Sequence, residues 1–243
     1  MTDNCDIRIY GDRMLFNLKG RSVEDHEMGL RYAFDRLSQE QDRNSEAFLQ
    51  TFVDVTHRDE LDFFLRNGFF VHNIMLFMEA DLERAGAVLR NRDEIDASGK
   101  ILTGSDIKDT VIFEEYDHSA DLSEYLEANA LGFGEQDPEE MIREELSNPK
   151  AKIYVTRIKG KIASSVTVWE TEPGIYSTEN IFTVPEFREK HLASAMLKRT
   201  LMTLLVNGAK KVRLSVFGDD LEALGLYYGL GYELKAEKYE LIF

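Results

Sequence analysis

Cysteine is nearly absent from this sequence: its 243 residues include one cysteine, Cys5, and five histidines. A single cysteine excludes an internal disulfide bond and a cysteine-rich metal centre. No spacing of histidine, cysteine and acidic residues is typical of a metal site either, so we expect no bound metal.

Long apolar runs are also missing. The sequence has no stretch of 18 apolar residues that could form a membrane-spanning helix. Its first residues, Met1 to Asp6, are polar and unlike a secretory signal. Hydrophobic residues make up 43% of the sequence and charged residues 30%, as in ordinary globular proteins. We therefore expect a cytoplasmic protein without a membrane partner, built as one large domain or two small ones.

Positive charge is scarce as well. The net charge is −16, and residues 111–149 contain twelve acidic residues but only one basic residue. Residues 150–243 carry a small positive excess that is not concentrated in any one stretch. Nucleic-acid binding requires a basic stripe or patch, and no segment offers one. Nucleic acid is therefore not expected as a partner.

The most informative stretch of the sequence lies between residues 175 and 205. A strand-like run, residues 175–184, ends at Pro185, which cannot continue a central strand. The apolar residues that follow have the spacing of one helix face: Leu192, Met196, Leu197, Leu201, Leu204 and Leu205. A strand, a polar turn and a helix in this order direct free backbone N–H groups and the positive helix end at an anion. Arg188 and Lys190 lie in the turn, so the stretch predicts a phosphate site.

Two motifs resemble the signatures of the GNAT acyltransferases. The pattern V-P-E-x-R-G-x-G-x-G/A is matched at Val184, Pro185, Glu186, Arg188 and Ala193. About thirty residues downstream, residues 220–232 are similar to the second signature, N-x-x-A-x-x-L-Y-x-x-x-G-F. The resemblance covers roughly residues 110–243. It implies an α/β (α+β) fold, the GNAT fold, with a mixed central sheet flanked by helices.

An internal repeat indicates a second, incomplete module. The first 82 residues predict two strands, a helix from Val23 to about Asp42, a strand, a second helix and a strand, and this order recurs later in the sequence. Residues 63–69 are also similar to residues 226–232. We expect a partial, degenerate GNAT-like module in residues 1–82, a linker in 83–109 and a complete GNAT acyltransferase domain in 110–243, as in tandem GNAT proteins.

The first module is expected to be structural. Its predicted helix begins with three acidic residues, Glu24, Asp25 and Glu27, where phosphates would lie. Negative charge facing a pyrophosphate weakens binding.

The resemblance implies acetyl-CoA or coenzyme A as co-substrate. The thioester carbonyl would accept a hydrogen bond from the strand backbone at Phe182, Thr183 and Val184. The pyrophosphate would meet the turn that Arg188 opens, through the N–H groups of Glu189, Lys190, His191, Leu192, Ala193 and Ser194. Asp220 stands near the cofactor where the family has asparagine, and it could instead cap the following helix.

The turn departs from the family at Glu189 and His191, both normally glycine. Glycine lets a backbone approach closely and adopt unusual dihedral angles. Glu189 also places negative charge beside a negative ligand. The alternative is therefore a loop that has lost CoA binding.

Tyr227 falls at the family's position for the tyrosine that protonates the leaving thiolate. Tyr228 takes this place if the alignment shifts by one residue. The other interpretation is that Tyr227 only packs against the strand. The general base is not identified by spacing: Glu179, on the cofactor-binding strand, is the candidate, and a base acting through water is equally open. His118, after the first strand of the second module, is a weaker candidate for a role near the acceptor.

The predicted activity is transfer of an acyl group, here acetyl, from CoA to a primary amine of a small molecule or peptide. The alternatives are a non-catalytic acyl-CoA-binding sensor and a protein-interaction pseudo-enzyme of the same fold. A homodimer is compatible with the sequence but not indicated by it. The acidic segment is either a solvated face or a field that attracts a cationic acceptor. Its candidate residues are Glu124, Glu127, Glu135, Asp137, Glu139 and Glu140.

Overall fold

The computed structural model describes residues 4–20, 22–90, 111–117, 122–134 and 139–243. The contacts divide the chain into two compact units. Unit 1 comprises Met1–Leu76, Phe217–Asp219 and Ala236–Phe243, and unit 2 comprises Phe77–Val216 and Asp220–Lys235.

Unit 1 is a sheet with two helices. Its elements are β1 (Cys5–Tyr10), β2 (Arg13–Leu18), α1 (Val23–Gln41), β3 (Phe48–Asp54), α2 (Arg58–Arg66), the first part of β4 (Phe70–Asp81) and the last part of β10 (Glu233–Ile242). Strands β1 and β2 form an antiparallel hairpin, and β10 is antiparallel to β3. Strands β2 and β3 run parallel over three residue pairs, from Arg13–Phe48 to Leu15–Gln50. A parallel pair needs a crossover connection, which α1 provides.

Helix α1 begins at a capping box formed by its own side chains. The Ser22 hydroxyl accepts the N–H of Asp25 at 3.0 Å, and the Asp25 carboxylate accepts the N–H of Ser22 at 3.2 Å. Leu30, Ala33 and Leu37 form the buried face of the helix. The core that they join includes Met14, Phe16, Leu49, Phe64 and Phe69.

Unit 2 contains a larger mixed sheet. Its elements are the rest of β4, α3 (Leu82–Arg90), β5 (Val111–Tyr116), α4 (Ser123–Phe133), α5 (Glu139–Leu146), β6 (Lys152–Ile158), β7 (Lys161–Glu172), β8 (Ile175–Thr183), the 3-10 turn Pro185–Phe187, α6 (Leu192–Val206), β9 (Lys211–Phe217), α7 (Leu221–Gly229) and the first part of β10. The strand order is β4-β9-β8-β7-β6-β5. Strands β5, β6, β7 and β8 pair with one another in antiparallel order, and β9 is parallel to β8. This mixed sheet with helices confirms the predicted α/β (α+β) class.

The apolar stripe predicted between residues 192 and 205 packs into the core of unit 2. Leu192, Met196, Leu197, Leu201 and Leu204 are all buried, and Leu205 is half-buried. Burying a leucine side chain stabilises a fold by about 1.5–3 kcal/mol, so this face anchors α6 beneath the sheet strands it contacts.

Part of the predicted linker is helical. Residues 82–90 form α3, which packs against α6, and its Leu82, Ala85 and Leu89 are buried at helical spacing. The glycine at position 86 and the polar residues around it obscured this periodicity. The remaining linker residues, 91–109, lie outside the described residues.

Across the described ranges, every helix is too short or too polar to cross a membrane.

Candidate functional site

Strand β8 separates from its parallel neighbour β9 after a short paired stretch. The two strands pair over three residue pairs, from Ile175–Lys211 to Ser177–Arg213. Beyond Ser177 the ladder ends, although the Thr178 hydroxyl still donates to the Arg213 carbonyl at 3.2 Å. The later part of β8 therefore has backbone groups that no strand on this side satisfies.

Of the three residues predicted to meet a thioester, Thr183 has the available N–H group. The Val184 N–H donates to the Ala163 carbonyl at 2.9 Å in the ladder with β7. In an antiparallel ladder every second residue is hydrogen-bonded to its partner, so Phe182 also faces β7 and Thr183 faces the opposite edge. Val184, in contrast to the prediction, has no free N–H group for a thioester.

The turn before α6 keeps a left-handed backbone without glycine. Glu189 has φ +62° and His191 has φ +56°. Residues with a Cβ atom pay about 1–2 kcal/mol in this region, which glycine does not. The backbone therefore follows a path suited to glycine at both positions where the family pattern has it.

Six consecutive N–H groups in this turn have no acceptor. They belong to Glu189, Lys190, His191, Leu192, Ala193 and Ser194, and this holds for acceptors in the part of the chain that the structure describes. His191 occupies the N-cap of α6 but makes no side-chain cap. The first turn of α6 thus combines free donors with the positive end of the helix dipole, the arrangement that binds anions.

The two basic residues of the turn contact backbone carbonyls. The Arg188 guanidinium donates to the Gly132 carbonyl at 2.7 Å and to the Thr183 carbonyl at 3.1 Å. Lys190 donates to the Glu186 carbonyl at 3.0 Å. Both side chains therefore hold the turn in place. The sequence placed both residues in the turn of the predicted phosphate site, and their contacts with the carbonyls were not predicted.

Gly132 is required where the end of α4 meets β8. A Cβ atom at this position would lie 2.6 Å from the Phe182 ring, too close for any side chain. Phe182 itself is buried, and its carbonyl accepts a hydrogen bond from Ser164 at 2.8 Å.

Asp220 is the N-cap of α7. Its carboxylate accepts the N–H of Ala223 at 2.9 Å. This is the capping role that the sequence left open beside cofactor binding.

Tyr227 is buried on α7, and Tyr228 is 52% exposed. Burial raises the pKa of the Tyr227 hydroxyl, and the nearby Tyr232, Asp220 and Glu179 raise it further. The Tyr227 and Tyr232 rings lie 5.7 Å apart between centroids. Tyr227 therefore stays protonated at all ordinary pH values and keeps a proton that it can donate in a hydrogen bond.

Glu179, in β8, lies near Tyr227 and Tyr232. Burial raises the pKa of its carboxyl group to about 7; a hydrogen bond of 2.7 Å from the Ser177 hydroxyl opposes this rise, and the negative charge of Glu145 adds to it. Glu179 also contributes to the raised pKa of Tyr227 and of Tyr232. The structure thus brings the two predicted catalytic residues into one electrostatically coupled group.

A bulge in β8 was not visible in the sequence. Ser165 pairs with Phe182 and Thr167 with Glu179, so Asn180 and Ile181 together oppose one residue of β7. Asn180 has φ +48°. Asparagine tolerates this conformation better than other non-glycine residues, but one asparagine in a strand-like run is too weak a signal to predict a bulge.

The remaining candidates are partly paired or not described. Glu124 makes a two-pronged contact with Arg157, and Glu139 contacts Arg143 at 2.6 Å. His118, Glu135 and Asp137 lie outside the described residues. Among the residues that are described, no group of three or more His, Cys, Asp and Glu side chains is arranged to hold a metal ion.

Comparison with known proteins identifies the fold and gives a family match for the carboxy-terminal part of the chain. Residues 120–232 match the model of the Acetyltransferase (GNAT) family. A GCN5-related N-acetyltransferase from Sphaerobacter thermophilus superimposes with a TM-score of 0.66 at 17% identity, over 98% of this chain and 75% of the other. A GCN5-related N-acetyltransferase from Kribbella flavida superimposes with a TM-score of 0.59 at 16% identity, over 97% of this chain and 88% of the other. A tandem GNAT protein from the clavulanic acid biosynthesis pathway superimposes with a TM-score of 0.58 at 13% identity, over 96% of this chain and 75% of the other. Residues 120–232 are therefore similar to the GNAT family, and the chain has the GNAT fold.

Proposed function

We propose that this protein transfers an acetyl group from acetyl-CoA to an amine, using the site at the end of β8. The observation that carries the proposal is a run of six N–H groups, residues 189–194, at the first turn of α6, for which the described residues provide no acceptor. Such a run suits the pyrophosphate of CoA, and the unpaired edge at Thr183 lies six residues before Glu189, the first of these donors. The donor set fits a CoA-type ligand, while the Glu189 carboxylate weakens the fit.

Acetyl-CoA would supply an acyl group activated as a thioester, which an amine displaces with release of the thiol. The Thr183 N–H would donate to the thioester carbonyl and stabilise the charge that develops on its oxygen. Glu179, with a pKa of about 7, would accept a proton from the attacking amine, directly or through water.

Tyr227 would donate a hydrogen bond to the leaving sulfur. Its raised pKa keeps the donor proton in place but makes the phenol a weaker acid than a free tyrosine. A thiol has an ordinary pKa near 8.5, so complete proton transfer from Tyr227 is unfavourable. We therefore assign Tyr227 as a hydrogen-bond donor to the developing thiolate. Solvent supplies the final proton.

The amino-terminal half of the chain would be a degenerate second module. Strands β2 and β3 pair in parallel over three residue pairs, as β8 and β9 do, and each pair is connected by a helix, α1 or α6. The first turn of α1, however, is closed by Ser22 and Asp25. This difference supports CoA binding in the carboxy-terminal module alone, as in a tandem protein with one working site.

A thermal-shift titration with acetyl-CoA tests the binding step. Ligand at 100 times its dissociation constant stabilises a folded protein by about 2.7 kcal/mol. Ser194→Asp places a carboxylate in front of the free donors but suits a helix N-terminus, so it should abolish the shift and leave the free protein stable. Ser123→Asp adds the same charge at the start of α4 and should leave the shift intact. No saturable shift of the unmodified protein at millimolar acetyl-CoA would overturn the proposal.

A screen of amines, with thiol release as the readout, tests the transfer step. The second candidate function, an acyl-CoA sensor, is favoured by the Glu189 carboxylate in the binding turn. Saturable binding of acetyl-CoA without thiol release across the amine panel would select the sensor.

A further inference from the structure

Glu145 contacts the bulge of β8 from helix α5. Its carboxylate accepts a hydrogen bond from the Asn180 side-chain amide at 2.6 Å, a short distance typical of a bond to a charged group. Glu145 is half-buried and Asn180 is half-buried, so water competes only partly for either group. The contact joins residues 35 positions apart in the sequence.

The bulge needs a contact of this kind. Asn180 lies at φ +48°, where a residue with a Cβ atom is strained, and Asn180 and Ile181 oppose a single residue of β7. A bulge leaves one residue outside the ladder, and without another anchor the strand could shift its register. The Asn180 amide is held by Glu145, so the bulge has an anchor outside the sheet.

We propose that Glu145 is a positioning residue for the site: through Asn180 it fixes the β8 bulge, and with it the orientation of Glu179 and of the strand edge that leads to Thr183. This inference rests on the proposed function for its catalytic meaning. The structural part of it concerns the free protein and does not depend on any ligand.

Glu145 also acts on Glu179 through its charge. It raises the pKa of the Glu179 carboxyl group, in addition to the larger effect of burial. Among the described residues, the other groups beside Glu179 are the Ser177 hydroxyl on its own strand, Tyr227 on α7, and Tyr232. These three act as neutral groups, whereas Glu145 acts on Glu179 through its negative charge, so removal of that charge should lower the pKa of Glu179.

Two substitutions separate the hydrogen bond from the charge. Glu145→Gln keeps an acceptor oxygen for Asn180 but removes the charge. Asn180→Gly removes the hydrogen bond, keeps the charge of Glu145 and tolerates the positive φ angle. Glu144→Gln, at an exposed position of the same helix, is the matched control.

The first readout is a carboxyl-carbon NMR titration of the free protein, with the Glu179 signal assigned by its loss in Glu179→Gln. We expect the Glu179 midpoint to move to lower pH in Glu145→Gln and to stay in Glu144→Gln. The second readout is amide hydrogen exchange at residues 180–182, which should accelerate about tenfold or more in Asn180→Gly, as expected for the loss of a bond to a charged group.

An unchanged Glu179 midpoint in Glu145→Gln, or unchanged exchange in Asn180→Gly, would overturn the inference. Both measurements use the free protein. A failed search for transferase activity would therefore count against the proposed function alone. With an acceptor in hand, the acidic limb of the kcat/KM profile should follow the NMR midpoint, and a profile that stays in place would contradict the positioning role.

Discussion

The Arg188 guanidinium donates a hydrogen bond to the Gly132 carbonyl at 2.7 Å and thereby ties the turn before α6 to the end of α4. The same side chain donates to the Thr183 carbonyl at 3.1 Å, where β8 ends. One residue therefore connects the strand edge, the turn and a neighbouring helix. Because two of its three guanidinium nitrogens, Nε and Nη2, already donate to backbone carbonyls, Arg188 serves chiefly to preorganise the turn.

Replacement of Arg188 by lysine should weaken acetyl-CoA binding as much as replacement by methionine. Lysine keeps the positive charge but cannot reach two carbonyls with a planar fork. The loss of hydrogen bonds from a charged group predicts an increase in Kd of roughly 10–100-fold, measured by calorimetric titration. Lys190→Met, which removes one bond to the Glu186 carbonyl, should have a smaller effect. If Arg188→Lys instead retains normal affinity, the main role of Arg188 is to attract the phosphate through its positive charge.

Glycine at position 189 or 191 should stabilise the protein. Both residues adopt left-handed backbone angles, and relief of that strain outweighs the added entropy of glycine in the unfolded chain by about 0.5–1 kcal/mol. Chemical denaturation measures this gain. Glu189→Gly should also tighten acetyl-CoA binding, because it removes a negative charge from the turn. Asn207→Gly, at the other end of α6 where φ is −83°, should destabilise the protein.

Replacement of Tyr227 by phenylalanine should reduce turnover by about 10–100-fold, the scale of a lost hydrogen bond to a developing charge. Acetyl-CoA affinity should change little, because the thiolate forms only during the reaction. Steady-state kinetics and a binding titration together measure the two effects. Tyr228→Phe, at the exposed neighbouring position, is the control. A larger loss of turnover in Tyr228→Phe would reassign the donor.

Salt should slow the reaction with a cationic acceptor. Glu127 and Glu140 are exposed acidic residues of α4 and α5, whereas the charges of Glu124 and Glu139 are offset by arginines. Steering by exposed charges weakens as the screening length falls to about 10 Å at 0.1 M salt. We expect kcat/KM to fall between low and high salt, and a Glu127→Gln/Glu140→Gln double variant to flatten that dependence. A rate that is indifferent to both changes would exclude steering by these residues.

The sequence predicted the fold, and the strand, turn and helix of the candidate site, because these depend on local patterns. The apolar spacing of Leu192 to Leu204 and the break at Pro185 define a strand, turn and helix without any distant contact. The contacts that shape the site are different in kind. Arg188 meets a carbonyl 56 positions away, and Asn180 meets a carboxylate 35 positions away. No local pattern encodes either pairing.

The raised pKa of Glu179 has a consequence for stability that needs no ligand. An ordinary glutamate has a pKa of 4.5, and that of Glu179 is about 7 in the folded protein. Below pH 4.5 the carboxyl is protonated in both the folded and the unfolded chain, so it contributes no difference. Between pH 4.5 and 7 the unfolded chain loses this proton while the folded protein keeps it, so the free energy of unfolding decreases as pH rises.

Glu179→Gln should therefore flatten the pH dependence of stability. Above pH 7 the wild-type carboxylate destabilises the folded state by up to about 3 kcal/mol, which the neutral amide avoids while still accepting a hydrogen bond from Ser177. Urea denaturation at pH 4.5 and at pH 8 measures the difference, and the variant should gain stability relative to wild type only at the higher pH. Glu170→Gln should show no such gain, because hydrogen bonds from Gly174 and Lys150 lower the pKa of Glu170. Equal differences between Glu179→Gln and wild type at both pH values would mean that Glu179 titrates normally and is not a base poised near neutral pH.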